Sequence, residues 1–300
     1  MKTIPIVISV ILILLGLGIT SVAQDTTSTK RSMDFNFAVT QNAYSDSWVG
    51  GEAGSASWVS NLNSLLESKL SPRFISKSTA KLSFGQTHIQ EQDSRKWRRP
   101  VKSTDLIDLE SVLRYQAGWY VSPFVGLRFE SQFLDGSIDS IKRYINPIKL
   151  TESAGFTRRL YAKEKDFVDS RVGFALRELL DRRVTYDTVG MIGPVPDIRG
   201  KTKTTTTTDG GLESVTDVSL KLHSKIGWTS KLSLFKALTV SDKKRVFWPA
   251  VDVNWENILT AAVTKYITVN LYVQWLYDKE INFRGRFKET LALGFTYKLL

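Results

Sequence analysis

The residues best equipped for chemistry in this chain are two histidines, His88 and His223, and many charges of both signs set at regular spacing. His223 is followed by Ser224, which invites a hydrolase reading. A hydrolase needs a base on its nucleophile and a third group to orient that base. Adjacent strand residues point to opposite faces, so a strand would hold His223 and Ser224 apart. His88 has Asp93 close behind it, a spacing that many loops contain by chance. Neither histidine has a His neighbour and the chain has no cysteine, so no convergent metal-ligand set is visible. The expectation is no catalytic residue, no metal and no cofactor.

The charges carry more information. Asp108 and Glu110 alternate with Ile107 and Leu109, and Arg128 and Glu130 with Leu127 and Phe129. Arg171 and Arg177 alternate with Val172, Phe174 and Leu176, and Asp252 and Glu256 with Val251, Val253 and Trp255. Period two excludes a helical stripe and describes strands with one apolar and one polar face. Asp108, Glu110, Arg114, Arg128, Glu130, Arg171, Arg177, Lys221, Lys225, Asp252 and Glu256 are therefore expected on one common surface. If the apolar face meets lipid, that surface is a lumen, because a charge turned into lipid costs ~2–4 kcal/mol near the midplane. Mixed signs there would line an aqueous path or close into a salt-bridge network, and they argue against a strongly ion-selective ring.

About twelve such segments follow one another, near 34–43, 52–68, 72–88, 104–118, 122–135, 149–160, 166–180, 212–227, 231–239, 249–260, 264–277 and 289–299. Several are long enough for the ~9–11 residues that cross a bilayer at a tilt. Their connections alternate between tight, as near Leu70–Pro72 and Ala261–Thr264, and long, as at Ile89–Ser103 and Asp181–Gly211. Short periplasmic turns and long outer loops in alternation are the pattern of a closed antiparallel transmembrane β-barrel. The fold class expected is thus all-β, with about 12 strands. A lipocalin-like soluble barrel would carry its apolar face inward, and alternation alone does not separate the two.

Lys2, an apolar run from Ile4 to Ile19 and Ser21-Val22-Ala23 make a secretory signal over 1–23. A flexible segment at 24–33 and a barrel at 34–300 complete the expected division. An exported chain without cysteine has no disulfide framework, so packing or sheet closure must stabilise it. The last strand, "LALGFTYKLL", would pair with the first and leave no free edge in lipid. Trp119, Trp228, Trp248 and Tyr277 fall near strand ends, where amphipathic rings gather at membrane interfaces. The tract "KTKTTTTTDGG", Lys201–Gly211, reads as a mobile outer loop.

The formal charge is +11. Arg95, Lys96, Arg98 and Arg99 form the basic outer-loop run "RKWRRP", for which lipopolysaccharide phosphates are natural counter-charges. No nucleic-acid-binding motif is visible. The chain is expected to pass small solutes or to serve as a structural surface protein, the alternatives being a barrel hydrolase acting on lipid or peptide and a soluble carrier.

Three stretches stand apart: "SDSWVGGEAGSASW" from Ser45, "KSTDLIDLES" from Lys102 and "FESQFLDG" from Phe129. Together they resemble a domain-of-unknown-function family of Gram-negative outer-membrane β-barrels. Its landmarks would here be Trp48, Gly50 and Gly51, then Lys102, Ser103 and Asp105, then Ser131, Gln132, Phe133 and Gly136. The resemblance implies architecture and location, and no reaction. Gly294, Tyr297 and Leu299 partly resemble the terminal-strand signal of such barrels, which implies the barrel-assembly machinery as a partner.

Overall fold

The computed structural model describes residues 29–45, 53–91, 93–137, 142–164, 166–192 and 195–298. The strands are β1 (Thr29–Asn42), β2 (Ser55–Lys69), β3 (Phe74–Ile89), β4 (Val101–Tyr115), β5 (Ser122–Ser131), β6 (Leu134–Asp135) and β7 (Arg143–Tyr144). They continue as β8 (Ile148–Lys163), β9 (Asp166–Ile192), β10 (Val195–His223), β11 (Ile226–Val240), β12 (Val251–Ala262), β13 (Ile267–Tyr277) and β14 (Arg286–Lys298). Twelve of them close an antiparallel barrel in the order β1-β14-β13-β12-β11-β10-β9-β8-β5-β4-β3-β2. β6 and β7 form a separate two-stranded piece within the connection from β5 to β8. Tight turns lie at the end that carries Thr29 and Lys298, and the longer connections at the other.

Closure falls between the first and last strands. Phe35 pairs with Tyr297, Phe37 with Phe295 and Ala38 with Gly294. At Gly294 a side chain would meet the Phe37 carbonyl oxygen at 2.9 Å, so the seam is tight there. Gly155 and Gly173 face each other across β8 and β9, where a Cβ on either would run into the opposing backbone at 2.2–2.3 Å. Glycine pairs of this kind let a sheet bend sharply enough to close.

Two expectations need correction. β1 begins at Thr29, so the segment expected to be flexible at 24–33 is strand from that residue on. The threonine tract is strand as well: Lys201 pairs with Thr185, Thr205 with Asp181 and Thr208 with Glu178. β9 and β10 thus run on as one hairpin toward the loop end. Threonine is β-branched and favours extended backbone, and a ready partner strand overrides the polar, loop-like composition.

The outer surface is the apolar one. Leu291, Leu293 and Phe295 on β14 and Phe174 on β9 are all more than 60% exposed, while Asp108, Glu110, Arg128, Lys231 and Glu256 are all at least nine-tenths buried. That inverts the usual distribution of a protein in water. Near the loop end, outward rings form a belt in which Phe37 meets Trp58, Trp58 meets Phe84 and Phe84 meets Phe133, with centroids 5.8–6.2 Å apart. Trp275 and Tyr277 stack on β13 at the same end. Phe74 and Tyr115 pair at the turn end, where Trp119 lies in a turn and is exposed. Trp228 opens β11 and donates to Asn257 at 3.3 Å. Trp248 departs from the expected belt, because it packs against a cluster of Ala175, Phe235 and Ala237.

Candidate functional site

Inside the barrel lies a cavity of about 1920 Å³, lined by residues from both ends: Ser32, Glu67 and Lys77 at the turn end, Asp209, Asp278 and Glu280 at the loop end. It exceeds the ~300–1,000 Å³ of an ordinary small-molecule pocket. Across its middle run ion pairs between strands that are not neighbours. Glu110 of β4 accepts from Lys231 of β11 at 2.6 Å and from Arg171 of β9. Lys81 of β3 reaches Glu256 of β12 at 3.3 Å, and Lys77 of β3 lies 3.8 Å from Asp217 of β10. Arg128 is bidentate on Asp108 at 2.8 and 2.9 Å and lies 3.3 Å from Glu130, which also takes Lys149 at 2.8 Å. Arg177 meets Asp252 at 3.2 Å and lies over the Phe235 ring at 3.5 Å. The register makes this layer possible, because Asp108 and Glu130 are direct cross-strand partners, as are Lys231 and Glu256.

Of the residues expected on the lumen wall, Glu110, Arg114, Arg128, Glu130, Arg171, Arg177, Asp252 and Glu256 line this cavity, and Asp108 is buried just behind it, held by Arg128. Lys221 sits exposed near the last rung of β10, its backbone N–H donating to Asp166. Lys225 is not on the wall at all. It lies in the two-residue turn between His223 and Ile226, because β10 stops earlier than the alternation suggested. Lys81, Lys149 and Lys231 belong to the same lining and were not singled out from the sequence. Each stands at period two with its neighbours, and that signal was available.

At the loop end, Arg245 leaves the β11–β12 connection to bridge two other segments. Its Nη1 donates to Asp209 at 2.6 and 2.7 Å, and its Nε donates to Glu280 of the β13–β14 connection at 2.7 and 2.9 Å. Hydrogen bonds to Glu280 and then Asp209 hold this guanidinium still more firmly in its charged form. Phe247 and Phe283 pack edge to face at 5.0 Å beside it. Two loops are thereby tied to the barrel rim at the mouth of the cavity.

The motif residues meet one another. Lys102 donates to Asp105 at 3.1 Å and to Gln132 at 2.7 Å, and Asp105 accepts the backbone N–H groups of Phe133 and Leu134 at 2.6 and 2.9 Å. Gln132 donates to the Asn146 carbonyl at 2.6 Å, and Ser131 to that of Pro147 at 2.9 Å. Their geometry fastens the β5–β8 connection to the end of β4. Trp48, Gly50 and Gly51 lie outside the described residues.

In the basic run, Lys96, Arg98 and Arg99 are exposed and Arg95 half-buried. Arg98 pairs with Glu91 at 3.3 Å. His223 and Ser224 are closer than the alternating-face argument allowed: Ser224 Oγ lies 3.2 Å from His223 Nδ1. The turn breaks the alternation. Both residues are exposed, at the far end of the barrel from the loops. His88 pairs with Ala56 on the outer wall, near the end of β3. Among the described residues no group of three His, Asp or Glu side chains is gathered for a metal ion.

A family model described as "Protein of unknown function (DUF3078)" matches residues 39–136, less than half of the chain. That span holds all three motif stretches up to Gly136. No curated protein matches. Among solved structures, the translocator domain of the autotransporter NalP from Neisseria meningitidis is 11% identical, covering 99% of this chain and 96% of that one, with a TM-score of 0.32. An outer membrane channel from Pseudomonas putida F1 is 12% identical over 92% and 96%, with a TM-score of 0.37. Salmonella typhi OmpF is 10% identical over 91% and 97%, with a TM-score of 0.26. No residue role or activity is carried over from them.

Proposed function

We propose that this chain is an integral outer-membrane β-barrel that passes small polar solutes through its lumen and performs no catalysis. One observation carries the reading: an apolar, aromatic-belted outer wall surrounds a charged cavity lined from both ends. A lipocalin-like carrier would need the opposite polarity. A hydrolase reading gains the His223–Ser224 contact, but that pair is exposed in a turn outside the cavity. The ion pairs that cross the lumen narrow it, so the channel is small and only weakly ion-selective.

The same reading includes export through a cleaved signal at 1–23 and a Gram-negative outer-membrane setting. It also includes assembly through the last strand, for which the tight β1–β14 seam at Gly294 is the support. Exposed Lys96, Arg98 and Arg99 would meet lipopolysaccharide phosphates on the outer face. The deciding experiment is conductance of the detergent-refolded mature protein in a planar bilayer, once boiling has been seen to change its gel mobility. Steady channels support solute passage. A heat-modifiable protein that inserts and stays silent sinks it and leaves a structural barrel.

A further inference from the structure

The cations of the lumen are not all alike. Lys77, Lys81, Arg128, Lys149, Arg159, Arg171, Arg177, Lys231 and Arg245 each have a carboxylate within ion-pair distance. Among the described residues Arg114, on β4 toward the turn end, does not, and neither do the neighbours Arg286 and Lys288. Both line the cavity from β14, two residues apart and hence on the same face. Arg286 stands on the first rung of the strand, at the loop end, opposite Leu276. Its Nε is shielded from solvent and has no hydrogen-bond partner. Lys288 stands opposite Gln274 and donates to the Thr104 hydroxyl on β4 at 3.3 Å. Glu256, whose charge reaches Lys288, is already held by Lys81. Thr290 is the next inward residue on β14.

We infer that Arg286 and Lys288, with the Thr104 hydroxyl, form a binding site for a small soluble oxyanion at the outer mouth of the lumen. The ligand class is a phosphate- or carboxylate-bearing solute. A guanidinium offers a planar fork to two oxygens, and an ammonium supplies a mobile point charge beside it. A hydroxyl donor completes a three-sided cradle. Most other cations of the lumen are held by carboxylates, so an anion that enters from the loop end meets its first cations without one here. The site faces the aqueous cavity, out of reach of a headgroup in the bilayer. The inference rests on the solute-passage reading and names the class of solute.

Two measurements separate its failure from that of the reading beneath it. In lipopolysaccharide-free planar bilayers under a potassium chloride gradient, the wild type should prefer chloride, and millimolar inorganic phosphate should reduce the current. The Arg286→Gln/Lys288→Gln variant should lose both the block and the modest chloride preference. Lys225→Gln, in the turn at the other end, should change neither. Channels with unaltered selectivity and block in the double variant would overturn the anion site and leave the channel standing. If no protein conducts, the channel reading fails, and equilibrium binding of labelled inorganic phosphate to the refolded protein in detergent still decides the site. Binding lost in the double variant and kept in Lys225→Gln supports it. Equal binding in all three, or none in the wild type, removes it. Boiling-dependent gel mobility confirms that each variant is folded.

Discussion

Two walls of one lumen are built on different rules. Along β4, β5 and β8 to β12 the charges lie in an interlocked layer: Glu110 between Arg171 and Lys231, Arg128 between Asp108 and Glu130, Arg177 near Asp252. Along β14 Arg286 and Lys288 have no carboxylate partner among the described residues; Lys288 has the Thr104 hydroxyl and the Tyr272 ring. Removing charges from water is costly, and the cost is recovered only when partners and geometry are right. The first wall meets that condition by pairing across the barrel. The second avoids much of the cost by standing nearer the mouth. What differs is availability: a closed network shapes a lumen, and unpaired donors can hold something that enters it.

The sharpest way to break this contrast is at the buried carboxylate that two cations share. Glu110→Gln leaves Arg171 and Lys231 short of their shared charge and should destabilise the barrel by about 3–5 kcal/mol, read as a lower urea midpoint in detergent. Arg286→Gln, on the other wall, should stay within about 0.5 kcal/mol. Equal effects would erase the distinction between the walls.

Next is the bend that lets the paired wall close. A side chain on Gly173 would lie 2.2 Å from the Ala154 carbonyl oxygen. Gly173→Val should cost about 1–3 kcal/mol or more as β8 and β9 are forced apart. Refolding yield, read by heat-modifiable mobility, checks this.

A smaller effect is expected at the mouth. Arg245→Ala frees the two outer loops from Asp209 and Glu280. Because the group is partly exposed, the stability loss should be no more than about 1 kcal/mol. Its signature is faster hydrogen exchange in 241–250 and 278–285, with larger current fluctuations. Unchanged exchange would mean that the Phe247–Phe283 contact holds the loops without it.

The smallest effect concerns pH. Burial alone would raise the Asp135 carboxyl, but hydrogen bonds from Asn146 and Ser137 and the Arg143 charge outweigh it and hold the group below its ordinary value. A depressed folded value means stabilisation that is complete above the unfolded value of about 3.9 and is lost as pH falls through the folded one. Amide exchange in β6 and β7 should therefore show no added opening between pH 7 and pH 5, and open only in stronger acid. Opening near neutrality would show that Asp135 does not hold this piece.

Much of the fold was legible because period two is a local property. Tyr266–Asp278 and Val251–Glu256 announce one apolar and one polar face without reference to any other segment, and strand length and alternating connections complete the barrel. The motifs were legible as words but not as an assembly. Nothing in the spacing of Lys102, Asp105 and Gln132 says that they meet, since the strands and turns between them decide it. The threonine tract misled because composition reports the cost of burying a segment, whereas β9 offered it a hydrogen-bonded ladder that needs no burial.

The sequence by itself determined which residues share a face, roughly where strands begin and end, and that the lumen or its opposite would hold charges of both signs. The tertiary structure decided which face points inward and how carboxylates and cations pair across the cavity. It also decided that Arg286 and Lys288 are left over. The physical reason is that alternation is set by the backbone of one strand, while Lys81 finds Glu256, and Glu110 finds Lys231, only after closure and register have brought distant strands to opposite sides of one narrow cavity.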